Sequence, residues 1–301
     1  LKLQVPLLNV DDTRVQGKVV FDGNRFRLMP EIPVMEQLRG ELMFSELGVR
    51  TRDLTMQFLG GPARVNGRLE KGSPPLSVEG TLAGEALTQL ANVRAMTRFS
   101  GRTAYRGQLS YAPGGTLEIH GQSNLKGLAI DMPAPVGKRA DELLPLTVHW
   151  GPATDRGSKA RRWLSAGLGE NTNVLLERDP DDASPSYFAR GALGVNRAAA
   201  LPQQGLSLAM TLPELDGDGW DTVIEEFDIP ASPGISSRGG QPTLPPLERV
   251  ALKTARLRLP ALDLTDLTLS AQRPAPAQWR VELDARQAAG TLEWAEASGA
   301  I

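Results

Sequence analysis

The 301 residues carry 33 Lys and Arg against 35 Asp and Glu, so no net field directs the chain toward nucleic acid or an anionic bilayer. Aromatic residues make up 5% of the chain and no arginine-rich run is present, which argues against nucleic acid as a partner. Cysteine is absent, and with it disulfides, thiolate catalysis and thiolate metal sites.

Alternation begins at once, with Leu1, Leu3, Val5 and Leu7 on one parity. That leaves no room for a signal peptide, and no apolar run reaches the roughly 18 residues that a membrane helix needs. The chain therefore reads as a section of something longer, with any anchor or export signal outside it. Strands are expected at 14–21, 38–45, 53–59, 62–70, 76–82, 101–111, 116–122, 146–150, 205–212 and 278–284, because apolar and polar residues alternate there with a period of two. The segment 262–269 changes phase midway, from Leu262 and Leu264 to Leu267 and Leu269, which predicts a β-bulge.

Within these strands a pattern recurs: apolar, any residue, glycine, any residue, apolar. It occurs at Val15-Gly17-Val19, Leu38-Gly40-Leu42, Val65-Gly67-Leu69, Val78-Gly80-Leu82 and Tyr105-Gly107-Leu109. The pattern glycines at 17, 40, 67, 80, 107 and 121 are spaced by 23, 27, 13, 27 and 14 residues, which fits strands and hairpins of an all-β meander. Glycine weakens a strand interior, so its repeated use on the inward parity implies that something comes close to that face. The inward stripe as a whole is the candidate site: Val15, Gly17, Val19, Phe21, Leu38, Gly40, Leu42, Phe44, Leu54, Met56, Phe58, Val65, Gly67, Leu69, Val78, Gly80, Leu82, Tyr105, Gly107, Leu109, Leu117 and Ile119, then Leu206, Leu208, Met210, Val281 and Leu283.

Two helices are expected. Residues 85–98 place Leu87, Leu90, Ala91 and Met96 along one stripe, and Asp218 is placed to cap a short helix running to Phe227. Long loops are expected at 132–145, 152–161 and 228–248. The last is the candidate divider of what otherwise reads as one continuous β-structure over 1–301.

Chemistry is sparse. His120 and His149 fall on polar faces of separate strands without a patterned carboxylate, the usual setting of solvated surface residues. Asp216, Asp218 and Asp221 imitate half of a calcium loop, but Trp220 occupies a ligand position and Phe227 replaces the bidentate glutamate, so helix capping is the better reading. Ser123 and Lys126 match Ser-x-x-Lys without a companion motif, and neither a P-loop nor a nucleophile elbow is present. No catalytic residue, cofactor or metal is expected, and the chain is not read as an enzyme.

Four segments carry a resemblance: LRGELMFSELGVRTRDLTMQFLGGPARVNG (38–67), LKGLAIDMPAPVGKRADELLPLTV (125–148), LPELDGDGWDTVI (212–224) and DLTLSAQRPAPAQWRVELDARQAAGTLEW (266–294). Together they resemble the AsmA-like envelope proteins, most closely the YhdP type, whose members are several times longer. The resemblance implies a long, curved antiparallel β-sheet with a lipid-lined groove. It further implies a periplasmic protein held to the inner membrane by an N-terminal helix outside this chain, continued by further β-repeats, and associated with moving phospholipid toward the outer membrane. On that view acyl chains are the partner, and the inward glycines thin the wall where they lie. Rival readings are a non-catalytic periplasmic scaffold, whose glycines serve curvature and packing, and a carbohydrate-active β-enzyme, which needs two facing carboxylates.

Overall fold

The computed structural model describes residues 2–4, 14–28, 32–89, 94–112, 115–152, 161–178, 187–226, 244–275 and 278–295. The chain separates into two compact units. Unit 1 comprises Leu1–Asn92, Phe99–Ala129 and Arg139–Pro152; unit 2 comprises Val93–Arg98, Ile130–Lys138 and Ala153–Ile301. Each is dominated by sheet, as the alternation predicts. The divider expected near 228–248 lies mostly outside the described residues, and β15 begins at Leu247.

In unit 1 the strands are β1 (Lys2–Gln4), β2 (Arg14–Phe26), β3 (Met35–Ser45), β4 (Gly48–Phe58), β5 (Gly61–Glu70), β6 (Leu76–Ala83), β7 (Phe99–Tyr111), β8 (Leu117–Ser123), β9 (Leu128–Ile130) and β10 (Leu146–Pro152). From β1 to β8 each strand pairs antiparallel with the next, and β8 then pairs with β10. The short β9 pairs with β7. Local sequence sets the turns. Leu59 and Gly60 both have positive φ (55° and 76°), the two-residue arrangement whose twist matches a tight hairpin between β4 and β5. Bulges at β3–β4 and β4–β5 shift the register, with Gly40 at φ 120° and Asp53 at φ 49°. A bulge bends its strand and raises the local twist. Here it also moves the apolar parity of β4 from Val49 and Thr51 to Leu54 and Met56.

Among the described residues of unit 2 the strands are β11 (Arg162–Leu168), β12 (Thr172–Arg178), β13 (Arg190–Val195), β14 (Gly205–Asp216), β15 (Leu247–Leu259), β16 (Leu262–Ala275), β17 (Gln278–Asp284) and β18 (Ala289–Ala295), with one α-helix, α1 (Gly217–Glu226). Strands pair in sequence order, but β13–β14 and β14–β15 are parallel, so the sheet is mixed rather than purely antiparallel. A parallel pair needs a crossover. Between β13 and β14 that crossover is residues 196–204, pinned by Asn173 Nδ2 donating to the Arg197 carbonyl (3.0 Å), Arg190 to the Pro202 carbonyl (3.2 Å) and Ser207 Oγ to the Ala200 carbonyl (2.9 Å).

The phase change expected in 262–269 is present and is shared. Asp266 has φ 54°, and the apolar parity changes together on β14, β15 and β16 at Pro213, Ala255 and Asp266, while the β15–β16 register stays constant. The core of this unit is Val195, Leu212, Leu252, Leu264 and the fully buried Leu267.

Of the two helix expectations the first needs correction, and the second holds with its cap moved. Residues 85–98 are not one α-helix but two 3-10 turns, Gly84–Gln89 and Arg94–Arg98, while Leu90 and Ala91 lie outside the described residues. Thr88 Oγ1 donates to the Glu85 carbonyl (2.7 Å) and Thr97 Oγ1 to the Arg94 carbonyl (2.8 Å), so hydroxyls three residues on compete for the carbonyls that an α-helix would use. The cap of α1 is Asp216, not Asp218: the Gly219 amide donates to Asp216 Oδ1 at 3.1 Å, the usual bond from the third helical residue to its cap. Phe227 lies outside the described residues. The helix docks inside unit 2, with Trp220 Nε1 donating to the Ala134 carbonyl (2.9 Å), Val223 buried, and Glu226 gripped by Arg98 through bonds of 2.6 and 3.0 Å.

Candidate functional site

Directly opposed residues in a sheet share a face. Following the pairings across unit 1, Gly17 stands opposite Phe44, Val19 opposite Leu42 and Phe21 opposite Gly40. The line continues through Phe44–Val49–Leu69 and Leu42–Thr51–Gly67. Beyond the bulge it runs Leu54–Val65–Val78–Gly107–Gly121–Val148, and beside it Leu76–Leu109–Ile119–Trp150. All the candidate residues of β2 to β8 thus lie on one face. The pairings also bring in Val49, Ala63, Leu76, Val148 and Trp150, which sequence reading passed over. Their signal was parity alone, as in Leu146, Val148 and Trp150, without a pattern glycine to mark it.

The face is graded in burial. Leu38, Leu54, Met56 and Val65 are buried in one cluster, packed on by Phe21, Phe58, Leu69, Val78 and Leu109. Leu82 is also buried, whereas Val15, Leu42, Phe44, Leu117 and Ile119 are half-buried and Val19 remains 39% exposed. The opposite face is solvated and charged, with cross-strand pairs such as Lys18–Glu41 at 3.0 Å and Arg106–Glu79 at 3.3 Å. A cavity of about 600 Å³ opens among β3–β6, with a mixed lining in which Gln37, Arg39, Arg64 and Glu79 stand beside Met56, Pro62 and Ala63.

The inward glycines do two different things. A Cβ on Gly17 would fall 2.2 Å from the Phe44 ring, and one on Gly80 would fall 2.7 Å from the Tyr105 hydroxyl. At these two positions an aromatic side chain from the neighbouring strand lies on the bare backbone, which is how sheets repair the packing lost at glycine. The expectation that glycine thins the wall for a guest does not hold there. Gly107 and Gly121 stand opposite each other, and their nearest neighbours lie at ordinary contact distances of 3.6 and 3.8 Å. The Tyr105 hydroxyl has no hydrogen-bond partner among the described residues, and burial pushes its pKa up to about 12.

In unit 2, Leu208, Val250, Ala271, Val281 and Leu292 form one row, and Met210, Leu252, Leu269, Leu283 and Gly290 the next. Leu206, Leu208, Met210, Val281 and Leu283 therefore also share a face. Leu206 and Leu252 are buried, while Leu292 is 61% exposed. The remaining motifs have structural roles. Ser123 Oγ donates to the Ala104 carbonyl (2.7 Å) and accepts from the Leu125 amide (3.0 Å), holding a turn, and Asp216 caps α1.

The family model described as the YhdP protein matches residues 1–301. The chain belongs to the YhdP family. Its sequence is 24% identical over 309 residues to the intermembrane phospholipid transporter YhdP of Escherichia coli (strain K12), a match covering 97% of this chain and 22% of that protein. This YhdP-family chain thus spans about a fifth of the length of the curated relative it matches. No solved structure matches it. Among the described residues no helix is long and apolar enough to cross a membrane.

Proposed function

We propose that this chain is one section of a bridge-like lipid-transfer protein, with phospholipid acyl chains lying along the apolar faces of its sheets. One observation carries the reading. In unit 1 the apolar face continues from strand to strand, through its bulges, across the eight strands β2–β8 and β10, yet many of its large side chains remain half-buried. A sandwich core would bury them as fully as Leu267 is buried in unit 2. The family and the printed name of the bacterial relative support phospholipid as the cargo.

The energetics suit such a role. Each methylene withdrawn from water is worth about 0.8 kcal/mol, so a long acyl chain crossing water bare costs on the order of 10 kcal/mol. A continuous apolar track removes most of that cost while the headgroup stays in solvent. Passage needs no bond chemistry, so the section is non-enzymatic. Its partners are then the acyl chains, the remaining β-repeats of the full-length protein and, through an N-terminal helix beyond this chain, the inner membrane, with the section itself in the periplasm.

One observation favours the rival reading of a non-catalytic envelope scaffold: Phe44 and Tyr105 fill the space above Gly17 and Gly80. Lipid extraction from the purified chain, followed by mass spectrometry, separates the two. The conduit predicts co-purifying phospholipid, sharply reduced by Leu42→Asp or Met210→Arg, because a charge buried unpaired costs several kcal/mol. Wild-type protein free of lipid, or charge variants that retain it undiminished, would leave the scaffold standing.

A further inference from the structure

On the solvated face of unit 1, away from the apolar track, His149 converges with Glu118 and His120, which lie about 30 residues before it in the chain. Antiparallel pairing of β8 with β10 sets His120 directly opposite His149. Glu118 lies two residues before His120 and so projects from the same face. The two imidazoles stack with centroids 4.4 Å apart and planes 18° from parallel. Both present Nε2 to the same carboxylate oxygen: Glu118 Oε1 lies 2.7 Å from His149 Nε2 and 3.5 Å from His120 Nε2. One donor atom from each residue falls within 4.8 Å of the others.

We propose that Glu118, His120 and His149 form a binding site for a divalent transition cation of the zinc–copper class. A tetrahedral centre with bonds of about 2.0–2.1 Å places its donors about 3.3 Å apart, and the two Glu118 distances bracket that value. Closure requires the His149–Glu118 pair to open by a few tenths of an ångström and the two rings to tilt out of parallel toward a shared point. Hydrogen bonding alone accounts for less of the arrangement. A proton between Glu118 and His149 serves one ring, while the second ring turns its nitrogen to the same oxygen from the limit of hydrogen-bond range.

The surroundings favour a cation. A Cβ on Gly151 would fall 3.0 Å from His149 Nε2 and 3.2 Å from Glu118 Cγ, so the imidazole and the carboxylate stem rest on bare backbone that a side chain at this position would push them from. The adjoining strand β7 sets Gln108 opposite His120 and Ser110 opposite Glu118, both uncharged. His120 is about half exposed, and His149 and Glu118 are 29% and 25% exposed, so a cation can enter from solvent and keep water at an open position. Two imidazoles and one carboxylate suit zinc or copper(II); calcium and magnesium prefer all-oxygen sets. The bound cation acts as a staple, tying β8 to β10 across the intervening residues 124–145.

Isothermal titration of the 301-residue chain with zinc chloride and with copper(II) chloride tests the site, alongside thermal melts with and without each salt. Expected are one equivalent bound and a raised melting temperature. Binding should weaken at least about 10-fold in His120→Ala, His149→Ala and Glu118→Gln, since loss of a ligand should exceed the effect of losing an outer-shell partner. All three positions lie on the solvated face, and melts without metal verify that the variants fold. Absence of binding to both salts, or undiminished binding by the double variant His120→Ala/His149→Ala, overturns the proposal. Neither result touches the lipid reading, which rests on the other face.

Discussion

The two units apply one rule of alternation to different ends. Unit 1 is an antiparallel meander whose polar face is mostly wet and whose apolar face grades from a buried cluster at Leu54 and Val65 to half-open residues such as Leu42 and Val19. Unit 2 has two parallel pairings, and its crossover covers the outer side of β12–β14. There Ala192 is fully buried and Glu177, 3% exposed, is held by two bonds from Arg190 at 2.8 and 3.0 Å. A parallel connection must travel over a face, so it closes that face, whereas hairpins leave both faces free. The face closed in this way carries Ala192 and Ser207 and is opposite the Leu193–Leu208 and Val195–Met210 pairs, so the crossover closes the far side of these strands and not their apolar rows.

The largest effect that can break this comparison comes from trimming one leucine in each unit. Leu267→Ala empties a fully buried position in unit 2 and should cost about 2–5 kcal/mol. Leu42→Ala removes a half-buried side chain in unit 1 and should cost only about 1 kcal/mol, because much of that surface is already wet. Urea unfolding of both variants measures the difference. Equal losses would mean that the two faces are equally packed, and unit 1 would lose its claim to an open track.

A smaller contrast lies within unit 1, between glycines of opposite kind. Gly17→Ala must displace the Phe44 ring and should cost about 1–3 kcal/mol. Gly121→Ala meets Val148 only at 3.8 Å, and its backbone needs no positive φ, so it should be neutral or stabilising by up to about 1 kcal/mol. Denaturant midpoints of the two variants decide. Similar losses at both positions would show the Gly107–Gly121 pair to be as tightly covered as Gly17.

Most of the sheet was legible because alternation reports directly which residues share a face, and the candidate stripe in β2–β8 fell on one face as a result. What escaped depends on partners distant in sequence. Nothing around His120 or His149 announces that 28 intervening residues return to place them in register. The parallel pairings of β14 were hidden for the same reason, since a strand carries no mark of its neighbour's direction. The glycine pattern was visible but its meaning was not: Phe44 over Gly17 and Tyr105 over Gly80 are cross-strand facts. At 85–98 the apolar spacing was helical, yet Thr88 and Thr97 turned local hydrogen bonding toward tighter turns.

Tyrosines supply the finest test of how the two units treat buried polar groups. In unit 2 the Tyr187 hydroxyl accepts from Arg178 at 2.6 Å, whereas in unit 1 the Tyr105 hydroxyl has no partner among the described residues. Burial raises the folded pKa of Tyr105 to about 12, while in an unfolded chain tyrosine ionises near its ordinary value of about 10. The sign of the linkage follows. Below pH about 10 both states hold the proton and stability is level. Between about 10 and 12 the unfolded chain loses it first, so stability falls as pH rises. Tyr105→Phe should change stability little at neutral pH, since it discards an unpartnered hydroxyl while keeping the ring over Gly80, and it should flatten the decline above pH 10 relative to the wild type. Melts at stepped pH measure both slopes. An unchanged slope in the variant would mean that solvent already reaches the phenol, and that the apolar face is open even where its own aromatic side chains cover the glycines.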